Sequence, residues 1–447
     1  MGNQIGWHFR RRDWLVTDLV LSAAAISLAY LLQPQFSFTW LTPIPTQPGP
    51  FQASLVYASL MLLCMHIAGL HDPLGDRSNW WAFLRTAMAV TAALGFSMII
   101  FYFSSLQQIG RSIILRTFIF SVTLQAGARL VIWRISSVTP RRIGCILDSM
   151  AKLRLDRLIE HSCATVPLEK IDLDEKLLSA EPAVVAEFFN SLAVLEVVVT
   201  GTRTEHQVLW LACLNRGIQV TDVSVFVERE YYRVPCDDID LRWFLVIDPK
   251  WNQPVYKRLK RVIDIMGAGL GLFLSLPLLV LSAVCIWWED RGPVLYRQSR
   301  VGFRGELYSI WKLRTMKIDA ELTGGAQWAK KADSRVTRIG RVLRITRIDE
   351  LPQFWNVLHG EMSLIGPRPE RPEFVEHLAK EIPLYPQRHW IKAGITGWAQ
   401  INYPYGASIE DAREKLCYDL YYLKNASLLL DVHIALRTLG VMMKGSR

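Results

Sequence analysis

A ladder of arginines leads to an adjacent pair of acids, Asp349 and Glu350. Pro352 follows the acids and Gly360 ends the short apolar run after it, which are start and stop signals of a helix. The positive end of such a helix would keep a carboxylate ionised and attract phosphate. An anionic nucleophile, a second acid for a metal and surrounding arginines suit phosphoryl transfer. The arginines recur at every third residue: Arg335, Arg338, Arg341, Arg344 and Arg347.

Both parts of this motif have a second interpretation. Asp is a preferred N-cap residue, so Asp349 could simply cap the helix. Apolar residues share the spacing of the arginines, so the ladder could be an amphipathic helix lying on anionic lipid. We assign Arg335, Arg338 and Arg341 to the lipid surface and keep Arg344 for the site. The apolar residues are Val336, Ile339, Val342 and Ile345.

The composition indicates a membrane protein. The chain has 447 residues, a formal net charge of +10 and 51% hydrophobic residues. Its length suggests two or three domains. A basic, apolar chain favours anionic lipid or phosphate ligands as partners, whereas no zinc-finger spacing or aromatic RNA-binding motif points to nucleic acid.

Four apolar runs near the start of the chain are each long enough to cross a bilayer. Basic residues flank both ends of the set, whereas the loop 33–50 carries no charge. By the positive-inside rule both ends of this transmembrane bundle, residues 1–139, lie in the cytoplasm and that loop lies outside. The runs are 14–32, 51–70, 83–103 and 112–133.

Charged residues lie within these runs as well. Asp18 in the first run and Arg116 and Arg129 in the fourth are candidates for buried pairing. Alternatively, a long side chain near the interface can extend to the headgroups, and we expect this of Arg129.

Residues 140–250 have a different pattern, in which short apolar runs alternate with helical segments. The runs 143–147, 195–200 and 218–223 predict strands of a small parallel α/β module. No glycine follows the first strand, so the phosphate-binding fingerprint of a dinucleotide site is missing. We interpret the module as Rossmann-like and as structural or regulatory rather than as a catalytic nucleotide site.

The segment 257–293 combines an apolar core, 262–288, with basic residues at both ends. Basic flanks favour the same side of the membrane for both ends. Pro277 near the centre predicts a bend, and Ser275 is a candidate donor to the carbonyl groups freed there. We expect a re-entrant helix at about 260–289, within a third domain at 251–447. The alternative is an ordinary fifth span with a proline kink.

The region 260–447 resembles the bacterial sugar transferases, monotopic phosphoglycosyl transferases that load a hexose-1-phosphate onto a polyprenyl phosphate. The preceding spans and α/β module resemble the large form of the family, and the segment 402–425 resembles an exopolysaccharide-associated branch. The matching motifs include Lys260-Arg261, Asp264, Gly292-Pro293, Arg297-Gln298, Arg300, Trp311–Met316, Asp349–Gln353, Asn356, Met362–Pro369 and Gly394–Gln400.

The resemblance implies a two-step reaction. Asp349 would attack the β-phosphorus of a nucleotide-diphosphate sugar, usually a UDP-hexose, so that UMP leaves. Undecaprenyl phosphate would then attack the aspartyl-phosphosugar, which initiates exopolysaccharide synthesis. Glu350 would hold Mg²⁺, while Arg344 and Arg368 would hold phosphate oxygens. Lys312, Arg314 and Gln400 are further candidates for substrate binding, although Lys312 and Arg314 could instead contact lipid headgroups.

Two motifs depart from the family pattern. Leu276-Pro277 replaces a common Ser-Pro at the helix break, and the serine, Ser275, lies one place earlier. Asn402-Tyr403-Pro404 replaces Asn-Gly-Arg, so an expected phosphate-binding arginine is missing, and Arg413 is a hypothetical substitute.

The expected protein therefore has a four-helix transmembrane bundle, a Rossmann-like α/β module and a mainly α catalytic domain with a re-entrant membrane helix. We expect a multi-pass enzyme of the bacterial inner membrane, with its catalytic domain on the cytoplasmic face and a possible homodimer. Alternatives are a catalytically idle scaffold that recruits assembly proteins and a hydrolase that passes its adduct to water. The sequence does not identify the sugar.

Overall fold

The computed structural model describes residues 11–32, 50–68, 70, 79–103, 111–138, 141–161, 168–172, 181–200, 207–237, 239, 243–244, 250–318, 335–403, 406 and 408–443. The chain divides into two compact units, Met1–Phe226 and Val227–Arg447. Nearly all of the predicted outer loop, residues 33–49, lies outside the described residues.

The first unit begins with four helices. Consecutive helices contact each other and the first also contacts the fourth. Of these four, as far as they are described, only the fourth contains a stretch long and apolar enough to cross a membrane, Ile113–Val131. The helices are confirmed, while four membrane crossings stay a prediction. Their bounds are α1 (Arg11–Leu31), α2 (Pro50–Ile67), α3 (Asn79–Phe103) and α4 (Arg111–Val138).

The interior of this helical set is mainly apolar but also contains a charged pair. Asp18 is 0% exposed, and its Oδ2 lies 2.6 Å from Nη2 of Arg129. Nη1 of the same arginine donates to Oδ1 of Asp18 at 3.1 Å, whereas Val16 and Val20 are exposed. The expectation that Arg129 extends to the interface was therefore wrong, because the two-nitrogen fork of its guanidinium neutralises the buried acid of α1. Arg116 instead donates to the carbonyl of Leu32.

A parallel four-stranded sheet follows, with the strand order β2-β1-β3-β4. Three strands lie at the predicted positions, which confirms the small parallel sheet. The prediction missed β2 because this edge strand, Leu-Glu-Lys-Ile-Asp, has little apolar signal. The elements are β1 (Arg141–Ile146), α5 (Ser149–His161), β2 (Leu168–Asp172), α6 (Pro182–Ser191), β3 (Glu196–Val199), α7 (Gln207–Asn215), β4 (Gln219–Asp222) and α8 (Val223–Tyr231).

The longest helix of the second unit is α9 (Pro254–Asp290), which has 37 residues and is also apolar and long enough to cross a membrane. It continues through Pro277 without a non-helical residue, so no break separates two halves. Ser275 donates to the carbonyl of Leu272 at 3.1 Å, whereas the carbonyl that loses its partner at Pro277 belongs to Phe273. The re-entrant course of this helix stays a prediction.

The remaining elements pack against α9 and one another. Asn356 joins two of them, because its Oδ1 accepts from the backbone N–H of Trp311 and its Nδ2 donates to the carbonyl of Ser309. Arg261 of α9 donates to the carbonyls of Val357 and Leu358, which end their helix. The elements are β5 (Leu295–Val301), β6 (Leu307–Leu313), α10 (Arg338–Thr346), α11 (Gln353–His359), β7 (Ser363–Ile365), α12 (Pro372–Glu381), β8 (Gly394–Thr396), α13 (Trp398–Asn402), α14 (Ile409–Asn425) and α15 (Leu428–Met443).

Candidate active site

The acid pair lies in a 3₁₀ turn, Ile348–Glu350, between α10 and α11. Arg347 connects α10 to this turn with a φ of 56°, a left-handed conformation that is unusual for a residue with a side chain. Helix α11 begins at Gln353, and no side chain caps it. Asp349 is therefore not an N-cap residue, and the capping interpretation was wrong.

The Asp349 carboxylate is buried and has no hydrogen-bonding partner among the described residues. The residue is 9% exposed, and its side chain makes no hydrogen bond or ion pair with any described residue. Burial, and secondarily the negative charge of Glu350, raise the pKa of Asp349 to about 6. The sequence predicted an acid kept ionised by a helix end; here the pKa rises, although it stays below neutral pH.

Glu350 has the opposite environment. Its Oε1 accepts from Nζ of Lys312 at 3.0 Å and from Nη2 of Arg368 at 2.7 Å. Burial alone would raise the pKa of Glu350, but the charges and hydrogen bonds of Arg368 and Lys312 hold it well below its usual range. The neighbouring acid thus takes the cations that could otherwise pair with Asp349.

Lys312 comes from the β5–β6 hairpin and Arg368 from the segment after β7. Burial lowers the pKa of Lys312, whose side chain is 17% exposed. The two cations therefore converge on Glu350 from separate elements, and both predicted site residues lie beside the acid pair.

Arg344 is the third predicted cation that reaches this region. It lies in the last turn of α10, donates from Nε to Oγ1 of Thr315 at 2.9 Å, and its charge acts to lower the pKa of Asp349. Gly340, one turn earlier, packs so tightly on Thr315 that an added Cβ would collide with the carbonyl oxygen. This close approach places α10 and Arg344 against the end of β6.

Two other predicted residues are engaged elsewhere. Arg314 is buried and pairs through Nη2 with Asp290 at the end of α9. Gln400 donates to the carbonyl of Ile395 at 3.0 Å, and its Oε1 is buried without a partner among the described residues. Neither side chain makes a hydrogen bond or ion pair with the acid pair.

The hypothetical substitute for the missing arginine is also occupied. Arg413 lies 2.5 Å from Oδ1 of Asp237, measured from Nη1. Residue 404, where the family arginine is expected, lies outside the described residues.

Sequence reasoning assigned no role to Arg300, although it lies in a matching motif. Its Nη1 donates to the carbonyl of Pro369 at 3.1 Å, and its charge acts on the pKa of Lys312. Arg300 and Lys312 both lie at alternate positions of the hairpin, opposite Tyr308 and Tyr296. The alternation of side chains along a strand could have identified Arg300 from the sequence, since it predicts which hairpin side chains share a face with Lys312.

The donor set is compatible with a phosphate-bound Mg²⁺. The described part of the chain contains no group of three or more His, Cys, Asp or Glu side chains suited to a metal. Mg²⁺ that binds substrate phosphates and retains waters needs only one or two carboxylates. Oε2 of Glu350 accepts no hydrogen bond from a described residue and lies 3.8 Å from Nη1 of Arg347. The acid pair therefore fits such an ion together with substrate oxygens.

Comparison with known proteins confirms the resemblance. Residues 255–445 match the family described as bacterial sugar transferase. A protein of Aeromonas hydrophila named UDP-N-acetylgalactosamine-undecaprenyl-phosphate N-acetylgalactosaminephosphotransferase is 47% identical over 192 residues, 43% of this chain and 45% of that protein. The chain thus covers less than half of that relative.

Two other relatives are covered more completely. A UDP-glucose:undecaprenyl-phosphate glucose-1-phosphate transferase of Caulobacter vibrioides is 43% identical over 181 residues, 40% of this chain and 67% of that protein. The exopolysaccharide production protein PSS of Rhizobium leguminosarum is 38% identical over 189 residues, 40% of this chain and 92% of that protein. The chain belongs to the bacterial sugar transferase family.

Proposed function

We propose that the protein transfers a hexose-1-phosphate from a UDP-hexose to undecaprenyl phosphate, releases UMP and so initiates exopolysaccharide synthesis. The observation that carries this proposal is the buried Asp349 carboxylate, which has no hydrogen-bonding partner among the described residues and lies beside the cations on Glu350. The names of the relatives support undecaprenyl phosphate as the acceptor and a UDP-sugar as the donor.

In the first step an oxygen of Asp349 attacks the β-phosphorus of the donor. A phosphorus–oxygen bond to Asp349 forms while the bond to the bridging oxygen breaks, and UMP leaves with that electron pair. The attacking carboxylate must be unprotonated, which a pKa of about 6 permits at neutral pH. Because no described residue donates a hydrogen bond to the carboxylate, none of them has to be displaced before attack.

In the second step an oxygen of undecaprenyl phosphate attacks the phosphorus of the aspartyl adduct. The bond to Asp349 breaks, and the carboxylate is regenerated with that electron pair. Two displacements at one aspartate suit one water-soluble and one lipid substrate, since both need not be bound together.

The basic residues supply electrostatic stabilisation in both steps. Arg344, Arg368 and Lys312 would bind phosphate oxygens, and guanidinium forks suit such oxygens especially well. Glu350 holds Arg368 and Lys312 near the acid pair through hydrogen bonds of 2.7 and 3.0 Å. Glu350 would also be the protein ligand of Mg²⁺, which when bound neutralises diphosphate charge.

The reaction would take place at the cytoplasmic face of the bacterial inner membrane, where the chain is multi-pass. Two apolar stretches of membrane-spanning length, in α4 and α9, support membrane attachment. Cysteine labelling in intact cells and inside-out vesicles tests the orientation. Glu381 is exposed at the end of α12, and reaction of a Glu381→Cys variant with an impermeant reagent in intact cells would contradict a cytoplasmic site.

The decisive experiment incubates the full chain in lipid nanodiscs with Mg²⁺, undecaprenyl phosphate and a panel of UDP-sugars. We expect UMP release and a lipid-diphosphate-sugar product with at least one of UDP-glucose, UDP-galactose and N-acetylated UDP-hexosamines. Release of UMP with free sugar phosphate would instead indicate hydrolysis. Absence of UMP with every donor, from folded protein that binds assembly partners, would favour the idle scaffold.

A further inference from the structure

Arg388 is a buried arginine that neither the sequence nor the proposed mechanism uses. It lies in a 3₁₀ turn, Tyr385–Trp390, and its side chain is 5% exposed. Nε donates to Oδ2 of Asp419 at 3.1 Å and Nη1 donates to the hydroxyl of Tyr385 at 2.6 Å. Nη2 donates to the backbone carbonyl of Arg368 at 3.0 Å. One guanidinium therefore connects α14, its own turn and the segment that carries a site arginine.

The segment around Arg368 is restrained from both sides. Pro367 and Pro369 flank it, which limits its backbone to extended conformations. The carbonyl of Pro367 accepts from the N–H of Gly394 at 2.9 Å, and the carbonyl of Pro369 accepts from Arg300 at 3.1 Å. Arg388 holds the carbonyl between them, so three consecutive carbonyls have partners from other elements.

We propose that Arg388 is a positioning residue that holds the backbone of Arg368 so that the Arg368 guanidinium stays on Glu350. The inference rests on the proposed function, because Arg368 matters there as a phosphate-binding cation. Asp419 is the acidic partner of Arg388: it is 2% exposed and accepts hydrogen bonds only from Arg388 among the described residues. Its charge keeps the buried guanidinium compensated and fixes its orientation.

An arginine suits this task better than a lysine. Its planar fork directs separate N–H groups to a carboxylate, a hydroxyl and a carbonyl at once, whereas an ammonium is a single point charge on a flexible stem. Arg388→Lys therefore keeps the charge opposite Asp419 but should lose the fixed bond to the carbonyl of Arg368.

The test is a double-mutant cycle on the full chain in nanodiscs, with Arg388→Lys and Arg368→Ala. We expect Arg388→Lys to lower kcat/KM by about 10–100-fold, because small displacements of a binding group cost that much. In the Arg368→Ala background the same change should cost less than about twofold, because the group that it positions is gone. Equal losses in both backgrounds would overturn the proposal.

The KM for the UDP-sugar gives a readout that loss of folded protein does not change. Arg368 is proposed to bind phosphate oxygens of that donor, so displacement of its guanidinium in Arg388→Lys should raise this KM. An unchanged KM in an impaired Arg388→Lys enzyme would contradict the proposal.

Glu414→Gln is the matched control, since Glu414 also lies on α14 and pairs with an arginine, Arg233, away from the acid pair. We expect additive, small effects from it. If Arg388→Lys fails to fold, Tyr385→Phe serves instead, because it removes one hydroxyl contact of Arg388 and leaves every charge. The decrease in kcat/KM that Tyr385→Phe causes should disappear in the Arg368→Ala background. If the decrease persists there, the proposal is overturned. If the wild type is inactive with every donor, the proposed function is refuted. The double-mutant cycle is then measured as the rise in Tm that pyrophosphate causes in each variant. If Arg388→Lys and Arg368→Ala reduce this rise additively, the positioning role is refuted as well.

Discussion

Two buried aspartates in this chain have contrasting environments. Asp18 is 0% exposed and receives both terminal nitrogens of Arg129, at 2.6 and 3.1 Å. Asp349 is 9% exposed and receives no hydrogen bond from any described residue. A buried charge is costly unless it is paired, so Asp18 is compensated by Arg129, while the burial of Asp349 without a hydrogen bond from a described residue costs stability.

The difference arises from the neighbouring residues. Next to Asp349, Glu350 takes the hydrogen bonds of Lys312 and Arg368. Asp18 instead receives both terminal nitrogens of Arg129, and Gln125 donates to its backbone carbonyl at 3.2 Å. Glu350 therefore keeps these cations close to the proposed nucleophile, Asp349, while accepting their hydrogen bonds itself.

The largest expected effect follows from removing the unpaired carboxylate. Asp349→Asn should reduce UMP release and lipid-linked product by at least about 10³-fold, because an amide cannot form the acyl-phosphate. Radiolabelled donor and product extraction measure both. Glu381→Gln, an exposed acid on α12, is the control and should keep full activity; residual transfer by Asp349→Asn near the wild-type rate would refute the nucleophile.

Removing the neighbouring acid should have the next largest effect. Glu350→Gln should lower kcat/KM by about 10²-fold, because it releases two cations and removes the proposed metal ligand. Since the charge of Glu350 raises the pKa of Asp349, the acid limb of the pH profile should move to lower pH. Titration of Mg²⁺ measures the metal part: an unchanged Mg²⁺ requirement would exclude Glu350 as its ligand.

Breaking the paired aspartate should affect stability rather than chemistry. Arg129→Met leaves the charge of Asp18 buried without its partner and should destabilise the protein by about 3 kcal/mol. Unfolding in detergent, followed by protease resistance, checks this. The double variant Asp18→Asn/Arg129→Gln should recover most of the lost stability. In both variants kcat per folded molecule should stay unchanged. A decrease in kcat would contradict the purely structural role of the Asp18–Arg129 pair.

The pH dependence of the wild type provides a further test. Because the pKa of Asp349 is raised to about 6, the nucleophilic form is lost below that value, and kcat/KM should fall about tenfold per pH unit there. A limb near pH 4, the usual range of an aspartate, would show that the acid is hydrogen-bonded or more exposed in the working enzyme.

The smallest expected effect concerns stability. Between the unfolded pKa of about 4 and the folded pKa of about 6, the native state binds more protons at Asp349, so this group makes the fold less stable as pH rises. Asp349→Asn should therefore raise Tm slightly at pH 7 relative to wild type, and the gain should vanish near pH 4. A lower Tm at pH 7 would contradict the cost assigned to the unpaired carboxylate.

Much of the site was predictable because its residues lie in local motifs. The acid pair, Lys312, Arg344 and Arg368 were identified from their order in the chain, and the structure brings their side chains to one region. Arg314 was placed in the same group as a candidate for substrate binding, with lipid headgroups as the alternative. In the structure it pairs with Asp290, since alternate residues near the end of a strand can meet different elements.

The sequence by itself determined the apolar helices, the parallel module and the family, because hydropathy, periodicity and motif order are properties of the linear chain. Only the tertiary structure decided which cation meets which acid: Arg129 binds Asp18, while Glu350 rather than Asp349 binds Lys312 and Arg368. Such pairings depend on how distant segments pack, and burial then sets whether a carboxylate is neutralised or left free to react.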